Sequence, residues 1–258
     1  MKKTLFTIGL FVLSMGSFAQ IPDGYYNTAT ADGFILKTQL KNIISGHNDR
    51  GYGALWDLYK KNNPKNGFKD IYYEKDNTLL DIYSESPTAS DPYNYIPGSG
   101  QCGNYVKEGD CYNREHLIPQ SYFNKATPMV SDAFHIWPTD GYVNGRRANY
   151  PFGVVANAVW TSKNGTKLGN NLNAGYSAGY SKTVVEPIDE FKGDIARVFF
   201  YFVTRYEDRM PSFYSSNSEV RAMFDGTANK AFSETFLKIL YTWPVSYTHL
   251  TLPTTPYV

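Results

Sequence analysis

The sequence predicts a mixed α+β domain, mainly helical with short strands. Apolar residues recur at helical spacing in four separated stretches. Short β-branched and aromatic runs lie between them, bounded by Gly, Pro, Asn and Ser clusters. No internal repeat and no second domain is visible.

The N-terminus reads as an export signal. Lys2 and Lys3 precede an apolar run from Leu5 to Val12, and Ser17-Phe18-Ala19 precedes Gln20. That is the layout of a signal peptide at 1–19, cleaved after Ala19. The run is too short to cross a bilayer, and no later stretch of about 18 apolar residues exists. A secreted or periplasmic protein is expected, with no membrane attachment after cleavage. Cleavage lowers Lys plus Arg from 25 to 23 against 24 acidic residues, a net charge near −1. A globally basic nucleic-acid binder is thereby excluded, so any attraction to phosphate must be local. The remaining chain is long enough for one sizeable core, and a monomer is expected.

In chain order, Phe34, Ile35, Leu40, Ile43 and Ile44 set a helical rhythm over 31–45, and Leu55, Leu58 and Tyr59 set another over 51–61. His47, between them, reads as a surface or capping histidine, and Asn62–Gly67 as a turn. Residues 71–73 and 79–83 look like short strands. The Ser-, Pro- and Gly-rich run 84–103 is a long loop of the kind that often carries function. Cys102 and Cys111 are the two cysteines, and in an exported chain they read as one disulfide. A zinc pair is the rival, but no further cysteine completes a four-ligand site.

Residues 154–159 begin as a strand and are expected to dissolve into an Asn/Gly-rich loop, with a hairpin-turn signature at 163–167. A strand is expected over 181–186. The run 187–209 is the strongest helix, with Pro187 at its start, Asp189 and Glu190 early, and Arg205 and Arg209 late. Its run 198–203 is apolar all round and marks a buried spine. A last helix covers 231–241. The folded domain is expected to span 20–244, and the uncharged run 245–258 matches nothing around it and reads as an extraneous end.

The chemistry concentrates between Cys111 and Gly153. Cleaving a phosphodiester requires a group that takes a proton from water and positive charge near the phosphate and leaving oxygen. His116 suits the first task, since a neutral imidazole accepts a proton near physiological pH. Glu115 and Asn144 suit the second, because one carboxylate and one amide oxygen are how magnesium is commonly held. Adjacent side chains on a strand face opposite ways, so Glu115 and His116 serve one site only if the strand ends there, which Pro119 makes plausible. Each feature alone is ordinary; their coincidence in one window is not.

The motif Asn113-Arg114-Glu115-His116, followed by Pro119 and by SDAFHIWPTDGYVNGRRAN, resembles the bacterial endonuclease I family of secreted and periplasmic nucleases. The resemblance extends over about 25–243. It implies a ββα-metal (His-Me finger) site in the α+β domain, with one strand carrying Glu115 and His116, a second near 134–137, and a helix carrying Asn144. It implies that His116 is the general base and that Glu115 and Asn144 hold one Mg2+ ion, with Mn2+ or Ca2+ as substitutes. It implies phosphate contacts from Arg147 and its neighbour Arg146, and supporting roles for Arg114, His135 and Asn149. The expected activity is cleavage of DNA, and of RNA, with little sequence preference, leaving 5′-phosphate ends. Two rivals stand beside it: an RNA- or nucleotide-restricted phosphodiesterase using the same residues, and a secreted glycan- or surface-binding protein. The sequence departs from well-known members in running directly from Phe123 to Val130, and in placing His135 one position along.

Overall fold

The longest helix sets the core. The computed structural model describes residues 22–46, 48–60, 68–215 and 217–246, with side chains through residue 243. The signal segment, His47, the turn at 62–67 and the end from 247 lie outside the described residues. Helices α1 (Gly33–Ile44) and α2 (Ala54–Lys60) lead to strand β1 (Tyr112–His116). Strand β2 (Ile136–Asp140) and helix α3 (Gly141–Arg147) follow, then β3 (Val155–Thr161), β4 (Lys167–Asn171) and β5 (Thr183–Glu186). Helices α4 (Asp189–Arg205), α5 (Met210–Phe213), α6 (Ser218–Met223) and α7 (Glu234–Ser246) close the described chain. Among the described residues two antiparallel sheets form, β1-β2 and β3-β4-β5, so the mixed α+β expectation holds.

Helix α4 buries Phe191, Ile195, Val198, Phe199 and Phe202, a stripe at helical spacing. It packs against α7, which buries Phe236, Ile239, Leu240 and Trp243. The Phe199 and Phe236 rings meet edge-on at 5.0 Å. Asp189 and Glu190 sit in the first turn and Arg205 in the last, matching the helix dipole. The helix stops at Arg205 rather than running on to Arg209, and the chain continues through short turns into α5. The last helix starts three residues later than expected, because Ala231 takes a left-handed φ of 61° and Phe232 bridges Phe224. It runs on to Ser246, past the expected boundary at 244.

Two expectations are corrected. Residues 71–73 and 79–83 form no strands, and only a bridge between Lys69 and Leu79 remains. The reason is local: the Asp70 carboxylate collects the amides of Tyr72, Tyr73 and Lys75, and Asp81 that of Tyr83. Those donors are then lost to any ladder. The Asn/Gly-rich run after Thr161 does not dissolve either. After a turn with Gly165 at φ 100°, β4 forms and pairs with both neighbours.

Phe199 is fully buried and Tyr241 is 70% exposed. Phe199→Ala is therefore expected to cost about 3–5 kcal/mol by urea unfolding, and Tyr241→Ala less than about 0.5 kcal/mol. Equal losses would contradict this assignment of the core.

Candidate active site

Strand β1 pairs β2 in register from Tyr112 opposite Asp140 to His116 opposite Ile136, and α3 follows β2 without a gap. The junction is held by Asp140, whose side chain caps α3 through the Val143 amide at 2.7 Å and also accepts from Tyr95 Oη and Gly109 N. Asp81 receives the Asp140 amide at 2.9 Å. Cys102 and Cys111 form the expected disulfide, and the Gly141 amide at the start of α3 donates to Cys111 O.

Glycine opens the other face of α3. A Cβ on Gly145 would lie 2.3 Å from Tyr105 Oη, and one on Gly141 2.7 Å from the same ring. The Asn144-Gly145 pair, which alone reads as a turn, is helical, and Tyr105 packs on the space a side chain at Gly145 would fill.

An open cleft of about 420 Å³ lies along β1 and α3, lined by Glu115, His116, Asn144, Arg147, Arg114 and Asn149 among others. Asn113 and Glu115 share a face of β1, and both reach α3: Asn144 Nδ2 donates to Asn113 Oδ1 at 2.6 Å, leaving the side-chain oxygen Oδ1 of Asn144 available. Glu115, 2% exposed, accepts from Tyr83 Oη at 2.9 Å and from Arg147 Nη1 at 3.2 Å, both on Oε1. Burial pushes its carboxyl up to about 7, against the opposing pull of Arg147 and the Tyr83 hydroxyl. The donor set is oxygen only, a carboxylate and an amide, and fits a hard divalent cation.

His116 ends β1 and turns toward other elements. Its Nε2 lies 3.3 Å from Val130 O, and a carbonyl only accepts. The proton therefore sits on Nε2 and the lone pair on Nδ1. Burial first, then His135, holds the imidazole down to about 3, so it is neutral over the physiological range.

The remaining predicted residues divide. Arg147 is 1% exposed, and besides Glu115 it donates to His116 O at 2.8 Å and Leu117 O at 2.6 Å. Its guanidinium is turned to protein acceptors, and the residue also lines the cleft. Arg146 is exposed and does not line the cleft; it donates to Tyr142 Oη on the outer side of α3. Arg114 is held by the Tyr52 carbonyl and by the rings of Tyr52 at 3.4 Å and Trp56 at 4.3 Å. His135 is fully buried, donates from Nε2 to Met129 O at 2.7 Å, and lies 5.9 Å from the His116 ring. Asn149 lines the rim, and its carbonyl accepts from Tyr122 Oη. Sequence reasoning missed Asn113, Tyr83, Tyr52 and Trp56. Asn113 had a signal, lying two residues before Glu115 on the same strand face; Tyr83, distant in sequence, had none.

Because the folded His116 value is depressed below the ordinary 6.5, the unfolded chain takes up the proton first as pH falls. The stability this group contributes is present above about 6.5 and is lost toward about 3. His135, lowered by burial, acts in the same sense. Between pH 7 and pH 4 the urea midpoint is expected to fall less in His116→Gln than in the parent. An equal fall would contradict a buried neutral imidazole.

Comparison with known proteins bears on this geometry. A family model described as Endonuclease I matches residues 32–249. The chain is 30% identical over 186 residues to an extracellular ribonuclease of Bacillus amyloliquefaciens, covering 71% of this chain and 53% of that protein. It is 30% identical over 190 residues to an extracellular ribonuclease of Bacillus subtilis (strain 168), covering 72% and 54%. The chain thus spans about half the length of these curated relatives. With most of its length matched by the family model, strand, cleft and helix included, the chain belongs to the Endonuclease I family.

Proposed function

We propose that this protein is an exported, divalent-metal-dependent endonuclease that hydrolyses nucleic-acid phosphodiester bonds, with 20–244 as the nuclease domain. The observation that carries the reading is the convergence of Glu115, His116 and Asn144 in one cleft, with the His116 Nε2 proton held by Val130 O. His116 Nδ1 takes the proton from the attacking water, and burial keeps the imidazole neutral. Glu115 and Asn144 hold the cation, magnesium in this reading, with Mn2+ or Ca2+ able to substitute. When bound, such an ion supplies positive charge to the phosphate and to the departing oxygen. Attack opposite the 3′ oxygen leaves a 5′-phosphate.

Arg147 serves as a positioning residue, fixing the Glu115 carboxylate and the end of β1 against α3. Arg114, spread over Tyr52 and Trp56 at the cleft wall, offers charge and aromatic surface for a nucleotide. Arg146, outside the cleft, extends the basic surface for a longer strand. Both single-stranded and duplex substrates are expected, with RNA favoured by the ribonuclease names of the relatives. An RNA-restricted enzyme is the second reading, supported by the same names. Export is supported by the signal layout at 1–19 and by relatives described as extracellular. Among the described residues no helix is long and apolar enough to cross a membrane.

Plasmid DNA, single-stranded DNA and RNA, each digested with magnesium and with chelator, test this reading. The parent is expected to cut with magnesium and not with chelator. His116→Ala is expected to lose about 10²–10⁴ in rate; undiminished cleavage by that variant would reject the proposed base. Cleavage of RNA alone would favour the second reading.

A further inference from the structure

A second group of titratable side chains lies outside the cleft. Asp70, Glu74 and Glu85 each bring a carboxylate oxygen within 4.8 Å of the others, and none of the three lines the cleft. Asp70 is fixed by three amides, from Tyr72 at 3.1 Å, Tyr73 at 2.9 Å and Lys75 at 2.8 Å. Such loop hydrogen bonds occur without any ion and decide nothing alone. Glu85 is the deciding residue. It is 1% exposed, and its Oε1 is sealed from solvent without a hydrogen-bond partner. Its surroundings worsen the position, since Asp91, Glu74 and Asp70 all add negative charge there.

An unsatisfied buried carboxylate oxygen is costly. A proton relieves it. A cation relieves it as well, and satisfies all three carboxylates at once. The donors are oxygens only, which selects a hard ion over zinc or copper. Carboxylate oxygens that all lie within 4.8 Å of one another can share one calcium ion, whose oxygen ligands sit at about 2.3–2.6 Å in a flexible shell. Magnesium requires a tighter, near-ideal octahedron and gives up its waters reluctantly. Glu74 is exposed, leaving an open side on which water completes the flexible shell calcium accepts.

We propose that Asp70, Glu74 and Glu85 form a structural calcium site, separate from the cleft. The site clips the turn at 70–75 to the turn at 81–85. That second turn carries Asp81, which receives the Asp140 amide, and Tyr83, whose hydroxyl donates to Glu115. The bound ion therefore steadies the scaffold behind the cleft without touching substrate.

The test uses the full chain carrying Glu115→Gln, which removes the cleft's carboxylate ligand, titrated with calcium by calorimetry and followed by thermal melting. One equivalent of calcium is expected to bind and raise the melting temperature by several degrees. Adding Glu85→Gln is expected to abolish that equivalent. Adding Glu74→Gln, at an exposed position that leaves the calcium-free melt unchanged, is expected to weaken binding at least tenfold. Absence of saturable binding, affinity left unchanged by either added variant, or displacement of calcium by equimolar magnesium would overturn the assignment. Nuclease activity plays no part in these readings, so their failure leaves the proposed function standing. Failure of the parent to cut nucleic acid would in turn leave this site standing.

Discussion

A buried arginine joins the two halves of the cleft. Arg147 stands at the end of α3, yet its two Nη groups donate to the Glu115 carboxylate and to the carbonyls of His116 and Leu117, at the end of β1. A guanidinium with 1% exposure is tolerable only with partners, and removing one member of a buried pair typically costs about 3–5 kcal/mol. The same interaction answers a geometric difficulty. Neighbouring residues on a strand point to opposite faces, yet Glu115 and His116 both line the cleft. They do so where β1 ends, with Arg147 drawing the carboxylate toward α3 and Val130 O holding the imidazole on the other side.

The rest of the fold supports that junction in layers. Asp140 caps α3 while Tyr95 and Gly109 hold its carboxylate, and Asp81 fixes its amide. Tyr83 brings the hydroxyl that shares Glu115 Oε1 with Arg147. His135 backs His116 and leans edge-on against Phe202 of α4 at 4.8 Å, so the core helix reaches His116 through one intervening ring. Burial sets the electrostatics on both sides: it lowers the imidazole and raises the carboxyl, favouring a neutral imidazole beside a carboxylate that gains from positive charge.

Much of this is legible in the sequence, and the limits follow physical lines. Helices with a strong apolar period are readable, because α4 and α7 bury the stripes their residues announce. The β1, β2 and α3 positions follow from the family motif rather than from periodicity. The turns at 70–75 and 81–85 resemble strands in the sequence, since β-branched and aromatic residues signal a strand while a preceding aspartate silently takes the amides. Arg146 and Arg147 look alike as neighbours in the sequence. They diverge because successive helix positions differ by about 100°, which turns one to solvent and the other inward onto acceptors 30 or more residues earlier in the chain. The long-range partners Tyr83 and Tyr105 carry no local pattern, so no window of sequence reveals them.

The central claim is that Arg147 organises the cleft rather than gripping phosphate. It is tested most directly by the salt dependence of oligonucleotide binding, with turnover silenced by His116→Ala, compared with and without Arg147→Met. Removing one arginine that neutralises a phosphate of a single strand makes the slope of log affinity against log salt shallower by about 0.7. The expected result is an unchanged slope together with weakened divalent-cation affinity at the cleft. A shallower slope with cation affinity intact would contradict it.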